Sequence, residues 1–166
     1  SGNYRELGRS ITRSGTVSST QVIRKAAETQ VANNSTTLVN DDTLLAPLAA
    51  NETIYFMAVI LHTGNTTADF KSTFTVPAGA TIWFNYPNNF GFDSAGNWAN
   101  AGGAVVASGG GPFDSSGTTG QNTVTIVGVV RNSTTAGNLQ LQWAQQTATV
   151  VNTYVRVDSF LLVFRV

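Results

Sequence analysis

The chain has 166 residues, which is enough for one domain with a sizeable core, and it contains no cysteine, which excludes disulfides and thiolate metal sites. Charged residues make up 11% of the sequence, against about 25% in a typical soluble domain, so the composition favours an assembly subunit with a covered surface. No apolar run reaches the roughly 20 residues of a membrane span, and the N-terminus lacks the apolar segment of a secretory signal.

The N-terminal segment is polar and basic. Residues 1–28 carry five basic and two acidic side chains, a net charge of +3, whereas the rest of the chain has a net charge of −3. This excess is weak for nucleic-acid binding, so we expect no nucleic-acid partner and predict docking on an acidic protein surface. We predict an extended arm over residues 1 to about 22 and a first strand within residues 1–35. The predicted attachment residues are Arg5, Arg9, Arg13, Val22 and Ile23. A start at Ser1 fits a natural N-terminus after loss of an initiator methionine, and it fits a truncated chain equally well.

Residues 36–166 carry the alternation of a β domain. After a short strand and a turn at Pro47, an apolar strand is predicted from Ile54 to Leu61. Apolar and polar residues alternate from Phe70 to Val76, and Thr81 to Tyr86 predicts the next strand. No segment has the 3.6-residue apolar stripe of a helix.

Residues 87–121 form a glycine-rich excursion with scattered aromatic residues. Phe90, Phe92 and Trp98 support two interpretations. Aromatic side chains on loops contact sugars, so these residues could bind a host surface glycan. Alternatively, they anchor the excursion on the core or fill a subunit interface.

The last three predicted strands lie in residues 122–132, 137–146 and 152–166. In the second of them, Leu139, Leu141 and Trp143 alternate with uncharged polar residues. We predict that the amides of Gln140, Gln142 and Gln145 pair with a neighbouring copy, because amides meet across a symmetric interface without charge repulsion. The alternative is a solvated polar face. Eight or so short strands with turn residues between them predict an all-β fold, an antiparallel β-sandwich of jelly-roll type.

Catalytic chemistry is poorly supported by the sequence. His62 is the only histidine, and its place at the end of an apolar strand indicates a structural residue bonded to backbone. Asp41 and Asp42 suit either a Ca²⁺ or acid–base pair or an Asx-type turn before a strand, and the turn is the interpretation we prefer. We therefore expect no enzymatic activity, no cofactor and no metal.

Four ordered stretches resemble a β-domain of tailed-bacteriophage virion proteins. They are "LVNDDTLLAPLAANETIYFMAVILHTG" (38–64), "ADFKSTFTVPAGAT" (68–81), "AGNLQLQWAQQTA" (136–148) and "VRVDSFLLVFRV" (155–166). They cover about half of the chain. The resemblance implies a structural role on the virion surface and frequent trimers, with assembly in the cytoplasm of the bacterial host. The segments 1–22 and 87–121 depart from the pattern.

The resulting hypothesis is a capsid decoration or head-fibre protein attached through its N-terminal arm. Its expected partners are further copies of itself, as a homotrimer, and the major capsid protein or another virion protein. The alternative is a tail-fibre or minor tail module that binds a host surface glycan. No membrane partner is expected in either case.

Overall fold

The computed structural model describes residues 10–11, 17–85, 90–92, 98–100, 113–115 and 120–166, with side chains described in 19–85 and 121–166. Within these ranges the secondary structure consists of thirteen strands. They are β1 (Ser10–Ile11), β2 (Val17–Arg24), β3 (Val39–Leu48), β4 (Thr53–Gly64), β5 (Phe70–Thr75), β6 (Thr81–Asn85), β7 (Phe90–Phe92), β8 (Trp98–Asn100), β9 (Phe113–Ser115), β10 (Gly120–Arg131), β11 (Gly137–Gln145), β12 (Tyr154–Val155) and β13 (Phe160–Arg165).

Two antiparallel sheets form a jelly roll. The first sheet has the order β1-β2-β13-β4-β10-β6, with β12 also paired to β4, and the second has the order β3-β11-β5-β9. The main pairs are nested in sequence, since β2 pairs with β13, β3 with β11, β4 with β10 and β5 with β9. Successive main strands therefore alternate between the sheets, which is the double Greek-key arrangement of this fold. The predicted antiparallel β-sandwich of jelly-roll type is confirmed.

The core lies between the sheets and is built by alternation along each strand. In β4, Ile54, Phe56, Ala58 and Ile60 are buried, and the residues between them are more exposed. Leu139, Leu141 and Trp143 of β11 are fully buried, as the sequence predicted. Because successive side chains of a strand point to opposite faces, these sets meet between the sheets.

An aromatic cluster joins the two sheets over Gly128. The ring of Phe74 packs edge-on against Phe56 and Phe84, with centroids 5.0 Å and 5.9 Å away. Phe56 and Phe84 are the cross-strand partners of Gly128, one on each side. A Cβ atom at Gly128 would lie 2.5 Å from the Trp83 carbonyl oxygen and 2.6 Å from Phe56 Cε1. Glycine at this position makes room for the rings.

Three predicted boundaries are wrong. Pro47 lies inside β3 and not in a turn, because β3 is an edge strand, where a missing N–H group costs no ladder bond. The predicted last strand is divided into β12 and β13 by a turn in which Asp158 has a φ of 71°. Residues 17–22, placed in the arm by the sequence, belong to β2, in which residues 19–22 pair with β13.

The excursion contributes to the sandwich as well. Its residues 113–115 form β9, which pairs with β5, and β10 already begins at Gly120. A separate pair is formed by β7 and β8, in which Phe92 is opposite Trp98. No helix in the described ranges has the length and apolarity required to cross a membrane.

Candidate functional site

His62 is a core residue. It is buried in β4 and its ring stacks on Phe70, with a centroid distance of 4.2 Å. Burial lowers the pKa of His62 to about 4, because the charged imidazolium is poorly solvated there. The neutral, enclosed ring is in agreement with a structural role.

Asp41 is turned into the core by a bulge in β3. In the pairing of β3 with β11, Asn40 is opposite Gln142 and Leu45 is opposite Gln140. The four residues 41–44 of β3 are therefore opposite the single residue Leu141, which defines the bulge. Asp41 Oδ1 accepts hydrogen bonds from the backbone N–H groups of Thr43 (3.0 Å) and Leu44 (2.8 Å). These local bonds are of the Asx type that the sequence suggested, but they shape a bulge within the strand and not a turn before it.

Lys25 provides the cation for this carboxylate, a pairing that the sequence did not indicate. The side chains of Lys25 and Asp41 are fully buried, and Nζ lies 3.1 Å from Asp41 Oδ2 and 2.6 Å from Asp42 Oδ1. Trp143 Nε1 donates to Asp41 Oδ2 at 3.1 Å. Burial alone would raise the pKa of Asp42. Hydrogen bonds from Lys25 and Thr43 and the positive charge of Lys25 have the opposite effect and are together stronger, so the pKa of Asp42 is lowered. The acidic pair is thus occupied by a side chain of the same protein, as part of the link between β2 and β3.

The glutamine amides are used within the chain. Gln145 is buried, and its amide donates to the Val151 carbonyl (2.6 Å) and accepts from Thr149 N (3.1 Å), which closes the loop after β11. The prediction that Gln145 faces outwards is therefore wrong. Gln142 Nε2 bonds Asn40 Oδ1 at 2.8 Å, and Gln140 Nε2 bonds the Asp41 carbonyl at 2.8 Å. These two residues are half-buried on the polar outer face of the second sheet, and their contact with a neighbouring copy stays a prediction.

The predicted arm residues fall into two groups. Arg5, Arg9 and Arg13 lie outside the described residues. Val22 and Ile23 lie in β2, where Ile23 packs against the core and the side chain of Val22 is 63% exposed. Part of the N-terminal charge is neutralised within the protein, because Arg24 pairs with Asp158 and Lys25 with the two aspartates.

Five strands of the first sheet contribute apolar residues to its outer face. One cross-strand row consists of Phe164, Tyr55, Val129 and Trp83, and the next consists of Val22, Leu162, Met57 and Val127. Phe160 and Val59 extend the surface on one side. We call these ten residues the outer apolar face. Tyr55 is 53% exposed, Phe164 40% and Val127 38%, and the others apart from Val22 are half-buried.

A groove of about 410 Å³ crosses this face above β10. Tyr55 and Trp83 are its walls, since both are opposite Val129, and Val127 and Val129 lie between them. The guanidinium of Arg131 lies over the Trp83 ring, 5.4 Å from its centroid, and fixes the orientation of that wall. The groove is therefore a preformed, mostly apolar depression on a sheet surface.

A pattern in the sequence that the prediction above did not include indicates this outer apolar face. The segments "TIYFMAVIL", "TVTIVGVV" and "FLLVF" of β4, β10 and β13 are apolar at nearly every position. Such strands are apolar on both faces, whereas β5 and β11 alternate. A two-layer sandwich can bury only one face of each strand, so the second apolar face has to be exposed or covered by another molecule.

The other predicted site residues are only partly located. Phe90, Phe92 and Trp98 lie in the β7–β8 pair, whose side chains are outside the described set, so glycan contact stays a prediction. Among the described residues, no three histidine, aspartate or glutamate side chains are grouped as a metal site would require.

No protein-family model matches the chain, and no curated protein matches it. One solved structure with similarity, described as "Structure of infectious bursal disease virus Gx strain", has 12% sequence identity over 89% of this chain, with a TM-score of 0.30. The chain spans 39% of the length of that chain. At this TM-score the similarity carries no functional argument.

Proposed function

We propose that this protein is a structural subunit of a virion surface, a capsid decoration or head-fibre protein of a tailed phage. The observation that carries the proposal is the outer apolar face, because an exposed apolar patch of several hundred Å² often marks an interaction surface. Its extent, together with a charged content of 11%, is typical of a protein whose surfaces are covered in an assembly. The phage assignment itself is supported by the four resembling stretches.

In this proposal the jelly roll is a rigid building block. The buried Lys25–Asp41 pair, the Phe56–Phe74–Phe84 cluster and the nested strand pairs hold the two sheets together. The candidate catalytic groups are used for the same purpose, since His62 is stacked in the core and Asp41 is paired. The function therefore consists of binding: to further copies of the chain and to a capsid protein.

Attachment to the particle is assigned to residues 1–14. Arg5, Arg9 and Arg13 are the basic side chains of the N-terminal segment that lie ahead of β2. Arg24 and Lys25 are paired within the protein. The three arginines, next to the single acidic residue Glu6, are therefore the charges that would contact an acidic capsid surface. Attraction of this kind falls with salt, because the Debye length shortens from about 10 Å at 0.1 M to about 3 Å at 1 M.

Truncation tests the attachment. Deletion of residues 1–14 ends before β2 and leaves its pairing with β13 intact, so the body should fold with an unchanged circular dichroism spectrum. The truncated protein should fail to co-sediment with particles that lack the protein, whereas the full chain should decorate them. The triple variant Arg5→Gln, Arg9→Gln and Arg13→Gln removes the positive charges without shortening the chain. It therefore separates the contribution of charge to particle binding from that of chain length. Equal decoration by the truncated protein would move the attachment to the body and favour the tail-fibre alternative.

A further inference from the structure

The outer apolar face has the size and composition of a self-association surface. Its five strands are spaced about 4.8 Å apart and its three rows cover about five residues along each strand, so the face together with its polar margin measures on the order of 24 Å by 17 Å. With side-chain relief, two such faces in contact would bury roughly 1,000 Å², which is the lower bound for a specific interface.

Charge favours a second copy as the occupant. The ten residues of the face are uncharged, and the nearest charges stand at its margins, where Arg24 pairs with Asp158 and Arg131 covers Trp83. Two copies can therefore approach without like-charge repulsion and without burying an unpaired charge. An acidic or basic partner would find no complementary group on this surface.

The strand order makes the face self-complementary in shape. β4 is central in the order β2-β13-β4-β10-β6. A two-fold axis parallel to β4 places β2 of one copy over β6 of the other, and β13 over β10. Phe164 of β13, which is 40% exposed, then lies over Val129 of β10, in the groove between Tyr55 and Trp83. Met57, in the middle row of β4, lies next to the axis.

We propose that two copies of this chain pack face to face through the outer apolar faces of their first sheets, with Phe164 of each copy in the groove of the other. This inference rests on the self-assembly part of the proposed function. It replaces the amide face of β11 as the principal contact between copies. The contact is two-fold, in contrast to the three-fold ring implied by the resemblance.

Mass measurement of the purified full chain is the first test. Light scattering at about 10 µM should give twice the 17.5 kDa of the chain. The double variant Val22→Glu and Tyr55→Glu should give a single-chain mass with an unchanged circular dichroism spectrum, because two buried carboxylates would be unpaired in the contact. Val150→Glu is the matched control, since Val150 is 79% exposed and outside the face. A monomeric or trimeric wild-type protein would overturn the proposal.

Cross-linking locates the contact independently of stability. The chain has no cysteine, so a single introduced thiol reports on one position. Because packed sheets lie about 10 Å apart, a short bis-maleimide should link Met57→Cys, next to the axis, into a covalent dimer, and it should not link Gln142→Cys on the opposite sheet. Cross-linking of Gln142→Cys alone would overturn the proposal in favour of the amide face. Particle decoration separates the two claims: a monomer that still decorates particles contradicts the inference only, and a dimer that never binds particles contradicts the proposed function only.

Discussion

Lys25 shows at the scale of one residue how the N-terminal segment is joined to the body. Its ammonium lies between Asp41 and Asp42, and its backbone N–H donates to the Ser159 carbonyl at 2.8 Å. The sequence predicted neither the burial of Lys25 nor its partners, because lysine is almost never fully buried and a contact between β2 and β3 has no local signature. The aspartates were noticed in the sequence, but their cation was not.

We predict that Lys25→Met destabilises the fold strongly. The substitution leaves Asp41 buried without its cation, and removal of one partner of a buried pair typically costs about 3–5 kcal/mol. Urea unfolding measures the loss. The matched control is Arg24→Met at the neighbouring position, where both partners of the ion pair are more than half exposed and the change should stay within about 1 kcal/mol. Equal effects of the two variants would contradict the structural role of the buried pair.

His62 should make stability depend on pH. Burial lowers its folded-state pKa to about 4, while the unfolded value is about 6.5. Between these values the unfolded chain binds more protons, so the free energy of unfolding falls as the pH drops from 6.5 to 4. The loss over the whole window is on the order of 3 kcal/mol. Thermal unfolding from pH 7 to 4.5 should show this slope, and His62→Gln should flatten it; an unchanged slope in the variant would assign the dependence to other groups.

Individual strands differ in how well the sequence predicted them. β5 and β11 were predicted together with their buried residues, because one polar face makes the alternation visible. β4 and β13 were recognised as strands, but the sequence did not show which of their residues face outwards. Both sides of these strands are apolar, so the two-residue alternation of apolar and polar side chains is not visible. The turn at Asp158 and the bulge at Asp41 were not predicted in their places, because Lys25, which follows β2, bonds the backbone of the first and the carboxylate of the second, and such contacts leave no local pattern in the sequence.

Gly128 tests the packing of β10 between its neighbours. Gly128→Ala places a methyl group against the Trp83 carbonyl and the Phe56 ring, and overpacking of this kind costs about 1–3 kcal/mol. Gly64→Ala is the control, since the nearest atom to its Cβ is Thr153 Oγ1 at 3.4 Å, an ordinary contact. Chemical denaturation should separate the two variants. A Gly128→Ala protein as stable as the wild type would show that β6 and Phe56 move apart without cost.

The molecule as a whole has two unlike outer surfaces. The second sheet presents amides such as that of Gln142, which donates to Asn40 of the neighbouring strand, and the first presents the outer apolar face. The low charge of the sequence predicted an assembly subunit with a contact between copies on the amide sheet, and that contact stays a prediction. The outer apolar face could not be located from the sequence, because only the strand order brings the second apolar faces of β13, β4 and β10 side by side.

Salt should separate the two kinds of contact that the whole molecule makes. Attachment through Arg5, Arg9 and Arg13 is electrostatic and should weaken between 0.1 M and 1 M NaCl, because screening shortens the Debye length from about 10 Å to about 3 Å. Contact through the outer apolar face buries no charge and should persist over the same range. Co-sedimentation with particles measures the first and light scattering the second. Loss of both with rising salt would contradict the assignment of the outer apolar face to the contact between copies.

The central claim is that this chain is a structural subunit of a virion surface. Cryo-electron microscopy of purified particles whose genome encodes the chain tests it most directly. We predict jelly rolls at fixed lattice positions on the head, with the segment before β2 lying on the major capsid protein. Heads without this density would contradict the decoration role, and particles without the chain at any position would contradict the claim itself.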